Sequence, residues 1–159
     1  MQDAKLQVAA SCQKQLQGKA AVRGRLVTVV AAASAFLRMG HYKNLKAWQH
    51  ARALVFVSKP LIERLPSTEK SNLADQWRRA ASSVVLNIAE GASKRGARDF
   101  RKYLDTARSS LDEIEAIIDL AVGLDYLKRQ DVIKVSAVRD ECARTVFGLI
   151  RKLGIPVNS

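Results

Sequence analysis

The sequence predicts an all-α fold, an antiparallel up-down-up-down four-helix bundle with an N-terminal extension, on three observations. Apolar residues recur at alternating three- and four-residue steps in one segment after another, the spacing that holds one stripe of a helix against a neighbour. No stretch alternates with period two over a useful length, so no sheet is expected. The candidate helices are joined by short turns, which make consecutive helices antiparallel neighbours.

The first helix is expected from Asn44, placed as its N-cap, with Trp48, Ala51, Val55 and Ile62 on one side and Leu54, Leu61 and Leu65 beside them. Pro60 removes a hydrogen bond to Phe56 and predicts a kink or a break. Pro66-Ser67-Thr68 closes the segment, and Thr68 or Ser71 is the expected cap of the next. In the second helix Leu73, Trp77, Ala80, Val84, Ile88 and Gly91 form the seam, and Gly91 is expected to end it as a C-terminal glycine. The third helix, from about Ala97, carries the longest unbroken heptad: Phe100, Leu104, Ala107, Leu111, Ile114, Ile118 and Ala121. Gly123 to Gln130 is a connector. Asp131 is the expected cap of a fourth helix with Val135, Val138, Cys142, Val146, Leu149 and Leu153 inward, stopped by Gly154 and Pro156.

Residues 1–40 form the expected extension and 41–159 the bundle. Leu26 to Leu37 is apolar, follows Lys19, Arg23 and Arg25, and contains Ala33-Ser34-Ala35, which imitates a signal-peptidase site. A secretory signal is disfavoured because a long polar stretch precedes the apolar run. A membrane span needs about 20 apolar residues, more than this run supplies. The preferred reading is a dispensable extension or a misassigned start.

At 159 residues, 48% of them apolar, the chain is long enough for one domain with a core. The formal net charge of +12 is drawn from both sides of Gly40, and such a balance attracts polyanions, nucleic acid foremost. Cys12 and Cys142 form neither a disulfide framework nor a zinc spacing, so a reducing cytoplasm is expected; Cys142, on an apolar helical face, reads as a small buried hydrophobe.

Beside the second seam runs a polar stripe, Gln76, Arg79, Ser83, Asn87 and Glu90, again at helical steps. Two readings of it stand: a buried hydrogen-bond ladder that fixes register, or the lining of a ligand site. With no activated nucleophile or metal nearby, the ladder is preferred. The pattern Gln76, Arg78-Arg79-Ala80-Ala81, Ser83, Asn87-Ile88-Ala89-Glu90-Gly91, preceded by Tyr42-Lys43-Asn44-Leu45 and Trp48-Gln49, resembles the four-helix-bundle family of 23S rRNA intervening-sequence proteins. The resemblance continues through Arg95, Phe100, Tyr103-Leu104, Ala107, Ser110-Leu111, Glu113 and Glu115 to Leu124 and Tyr126, and covers roughly His41 to Leu153. It implies a homopentameric, positively charged bundle, similar to the accessory variability protein of diversity-generating retroelements, and so a possible reverse-transcriptase partner.

Enzyme chemistry finds little to work with. His41 and His50 have no carboxylate or cysteine placed for a triad or metal site, and no Glu-x-x-His pair marks a di-iron bundle. Gly91-Ala-Ser-Lys-Arg-Gly96 lacks the ending and the preceding strand of a phosphate loop. No enzyme activity, cofactor or metal is expected. The functional lead is cationic: Arg78 on the second helix, Lys94 and Arg95 in the connector, and Arg98, Arg101, Lys102 and Arg108 on the outer third helix. The last four precede Asp112, Glu113, Glu115 and Asp119, a charge order opposed to the helix dipole, which suggests a partner. The bland alternative is a solvated face. The expected function is a non-enzymatic oligomer that offers basic surface to RNA or DNA, with no membrane association; the alternative is a scaffold or accessory subunit for a nucleic-acid enzyme.

Overall fold

Helices account for nearly all of what the computed structural model describes, residues 42–154; the expected extension and its apolar run lie outside the described residues. Helix α1 spans Lys46–Glu63, α2 Leu73–Ser93, α3 Ala97–Gly123 and α4 Arg129–Lys152, with single 3-10 turns at Tyr42–Asn44 and Ser67–Glu69. There is no strand among the described residues. The helices pack in a closed order, α1 on α2, α2 on α3, α3 on α4 and α4 back on α1. Side-chain contacts run in opposite chain directions. Arg64 at the end of α1 meets Asp131 at the start of α4, at 2.9 Å, while His50 near the start of α1 faces Glu141 farther along α4, at 3.9 Å. Ser110 of α3 donates to Ser83 of α2, and Tyr103, earlier on α3, donates to Glu90, later on α2. This packing is compatible with an up-down-up-down course.

The α2 and α3 seams are buried at every expected position, with Trp77, Val84, Ile88, Leu104, Leu111 and Ile114 wholly removed from water. Burying side chains of this size stabilises a fold by roughly 1.5–3 kcal/mol each before entropy is counted, so these two helices anchor the core. On α1, Ala51, Leu54, Leu61, Ile62 and, just past the helix, Leu65 are buried as expected and Ala47 and Ser58 join them, while Trp48 and Val55 are half-buried. On α4, Val132, Val135, Cys142, Val146 and Ile150 face inward, and Val138 and Leu149 flank them.

Helix ends depart from the sequence reading more than helix middles. The N-cap of α1 is Leu45, not Asn44, and that of α2 is Asn72, not Thr68 or Ser71; neither makes a side-chain capping bond. Hydrogen bonds across the turn take over, since Glu69 Oε2 accepts from the Asn72 side-chain amide at 2.9 Å. Asp131 lies in the first turn of α4 and accepts the Lys128 backbone N–H at 2.9 Å, so it caps from inside the helix. Helix α1 continues through Pro60, whose lost bond falls on an exposed side of the helix.

Gly91 does not end α2, which runs on to Ser93. Its role is close approach: a Cβ there would sit 2.6 Å from Cδ2 of Phe100 and 2.7 Å from Cβ of Tyr103. Only glycine lets the last turns of α2 lie against the first turns of α3. The charge order along α3 also finds a reason inside the chain. Arg139 of α4, with its side chain 12% exposed, donates to the Leu111 carbonyl at 3.2 Å, pairs with Glu115, and lies 3.6 Å from Asp112. Asp112 and Glu115 of the acidic half of α3 therefore tie α4 down.

Candidate nucleic-acid interface

The tight crossing at Gly91 shapes the connector between α2 and α3. Lys94 leaves the helix in extended conformation with its N–H on the Gly91 carbonyl, and Gly96, also extended, leads into Ala97. Five residues therefore separate the close-packed Gly91 from the start of α3, and the cations among them are forced outward. Arg95 and Arg98 are exposed and make no ion pair among the described residues. Lys102, one turn on, is exposed and lies 3.7 Å from Asp99.

Lys94 is engaged locally. Its Nζ is 3.1 Å from Glu90 and 5.1 Å from the Tyr103 ring centroid, and Glu90 accepts the Tyr103 hydroxyl at 2.8 Å. The Tyr103 hydrogen bond, then Lys94, hold the Glu90 carboxyl below its usual range, and Glu90 with Tyr103 raises Lys94. Lys94 stays charged, yet much of its field is spent inside the trio. A shallow recess beside it is lined by Asn87, Lys94, Asp99, Lys102, Tyr103 and Thr106.

The other expected cations are placed differently. Arg101 is buried, with its side chain 10% exposed, and its Nε donates to Asp105 at 2.9 Å, so it is not on the outer face. It stands next to the Phe100 seam position. Arg78 lies in the first half of α2, several turns from the connector, and sits 3.5 Å from Asp75. Arg108 is exposed and without an ion pair among the described residues, but more than two turns beyond Arg98. Lys94, Arg95, Arg98 and Lys102 thus share one place; Arg78 does not join them. Sequence reading missed Lys43 and Lys46 before and at the start of α1 and Arg151 and Lys152 at the end of α4, all exposed. The up-down-up-down course with which the packing is compatible would bring these four to the connector's end, a consequence legible from topology but not from local charge density.

The polar stripe is a half-buried junction, not a buried ladder. Asn87 Nδ2 donates to the Ser83 carbonyl at 2.8 Å and to Ser83 Oγ at 3.0 Å, and Ser110 Oγ donates to Ser83 Oγ at 2.9 Å. With the Glu90 and Tyr103 bond, these couple α2 to α3. Among the described residues the Gln76 side chain bonds Asn72, one turn back, and Arg79 has a side chain 71% exposed with Asp75 as its partner at 3.2 Å. The stripe drifts out of the interface toward the start of α2.

Comparison with known proteins turns on how much of this framework is shared. The family described as 23S rRNA-intervening sequence protein matches residues 43–148, which takes in the first three helices, the connector and most of α4. The chain belongs to the 23S rRNA-intervening sequence protein family. No curated protein matches it. In this family member the match spans the α2–α3 connector with its cations, the Gly91 crossing and the Ser83–Asn87–Ser110 junction.

Cys142 is buried, its Sγ 3.8 Å from the Ala47 carbonyl, and burial pushes the thiol pKa up to about 12. A thiol so held is neutral and a poor nucleophile. His41 lies outside the described residues, as does Cys12. No group of His, Cys, Asp and Glu among the described residues is placed to hold a metal ion, and no helix among them is long and apolar enough to cross a membrane.

Proposed function

We propose that this 23S rRNA-intervening sequence family member binds RNA or DNA through the connector end of its bundle and catalyses no reaction. The observation that carries this reading is the outward pair Arg95 and Arg98, exposed and unneutralised among the described residues, beside Lys102 and at the end that also bears Lys43, Lys46, Arg151 and Lys152. Cations left unpaired by the fold release counterions when phosphate replaces solvent, and that release drives sequence-independent binding. Assembly into a pentamer, as the resemblance implies, would repeat the surface on each copy and raise avidity.

The test is a salt titration of the full chain with labelled RNA and DNA. Log affinity should fall with log salt at a slope of about −0.9 per phosphate contacted on duplex DNA, or about −0.7 on single strands. The double variant Arg95→Glu, Arg98→Glu should weaken binding and flatten that slope while leaving the melt unchanged. A wild-type chain with no affinity at about 50 mM salt would overturn the proposal.

A second reading, a scaffold for a nucleic-acid enzyme such as a reverse transcriptase, is favoured by the apolar side chains left at the opposite end. Leu120, Leu124 and Ile133 are each at least half exposed around the α3–α4 turn. Exposed apolar clusters of this kind suit a protein neighbour, another copy included.

A further inference from the structure

Phe147 is half exposed on α4, and its heptad relatives show which way it faces. Ile133 and Asp140, two heptads and one heptad earlier, both line the groove between α3 and α4, so Phe147 continues the same wall toward the connector end. Ala137 lines that wall as well, and Arg144 and Arg151 repeat its heptad position; both are exposed. On the facing wall, Arg108 stands one heptad before Glu115, which reaches across to Arg139 of α4. The contact of Arg139 with Leu111 and Glu115 sets the register. With both helices rising about 1.5 Å per residue in opposite directions, Phe147 stands level with the α3 turn from Leu104 to Arg108.

The wall so extended carries an aromatic ring half out of contact with protein, with Arg151 about a turn along α4 and Arg108 on the facing helix. Arg108 and Arg151 make no ion pair among the described residues, while Arg144 is paired with Glu141. Other rings at this end are engaged. Lys94 covers a face of Tyr103, Tyr42 packs edge-on against Trp48 at 5.1 Å between centroids, and Phe100 is buried. Duplex bases are stacked on each other and offer no free face; an unpaired base does, and stacking on an aromatic surrounded by cations is how single strands are held without sequence preference.

Resting on the nucleic-acid reading above, we infer that this half of the α3–α4 groove takes an unpaired stretch of nucleic acid, with a base stacked on Phe147 and its flanking phosphates on Arg108 and Arg151. The experiment compares a labelled oligothymidine strand with the same strand annealed to oligoadenosine, by anisotropy on the full chain at fixed low salt. Phe147→Ala should weaken single-strand binding about tenfold and leave duplex binding within twofold. Phe147→Leu keeps apolar bulk, protects the fold and lacks the π-face, and should lose single-strand affinity alike. Unchanged binding in both variants, or equal losses on strand and duplex, overturns the inference while the basic end still stands as the binding surface. A change of sedimentation in Phe147→Leu overturns it in favour of a contact between copies. Wild-type binding to neither probe overturns this inference and the nucleic-acid reading together.

Discussion

Gly91 shows how much one missing methyl group can decide. The ring of Phe100 is buried and the Cβ of Tyr103 is fixed to the backbone, so neither can swing aside for an added Cβ at 2.6–2.7 Å. Gly91→Ala should gain helix propensity and still lose about 1–3 kcal/mol, because overpacking a close crossing outweighs the propensity gain of under about 1 kcal/mol. Urea melts of the variant check this, and an unchanged midpoint would mean that α2 and α3 are farther apart than described. The loss should reach function too, since the same crossing pushes Arg95 and Arg98 outward. Residue-scale reading of the sequence saw a helix-ending glycine here because a glycine two residues from a Ser-Lys-Arg turn looks the same in either role. Only the distance to α3 separates them.

Helices are held to each other at their ends by charge. The Asp131 carboxyl is held below its usual range first by its hydrogen bond from Arg64, then by the Lys128 N–H, and it joins the end of α1 to the start of α4. A carboxyl depressed in the folded state contributes stability above its unfolded pKa and loses it as pH falls through the folded one. Wild-type stability should therefore drop on acidification through and below the ordinary carboxylate range, and Asp131→Asn should show a shallower drop in pH-dependent melts while being less stable at neutral pH. An identical acid limb in the variant would remove Asp131 from that account.

The middles of α2 and α3 were legible in the sequence because large apolar residues at heptad spacing leave one solution. On α1 the buried line also takes in Ala47 and Ser58, small residues with a weak signal, whereas Trp48 and Val55 carry a strong one and sit at the edge. Caps were not legible, since Leu45, Asn72 and Gly96 make no side-chain capping bond and leave no mark. Within the candidate interface, Arg95 and Arg98 were readable as connector cations. Arg101 was not, because one position off the seam reads as solvated from spacing alone.

For the whole molecule, the family match begins at residue 43 and the bundle lies within the compact unit Met39–Ser159. Removal of residues 1–38 should leave the melting midpoint nearly unchanged and the number of subunits found by sedimentation unaltered. A large loss of stability in the shortened chain would make Leu26 to Leu37 a working part of the fold. Nucleic-acid affinity of that shortened chain should fall only modestly at low salt, in proportion to the cations removed with the segment.

Arg139 bears on how the molecule comes apart. Helix α3 carries cations in its first half and acids in its second, so in isolation its own peptide dipoles work against its charges. Those acids gain a favourable neighbour only when α4 docks and Arg139 lies across Leu111 and Glu115. Each helix is thus a poorer structure alone than in the pair, and neither gains by persisting when the other frays. Such mutual dependence favours loss of both together over a stepwise retreat, and it makes the α3–α4 pair one cooperative unit with the groove they share.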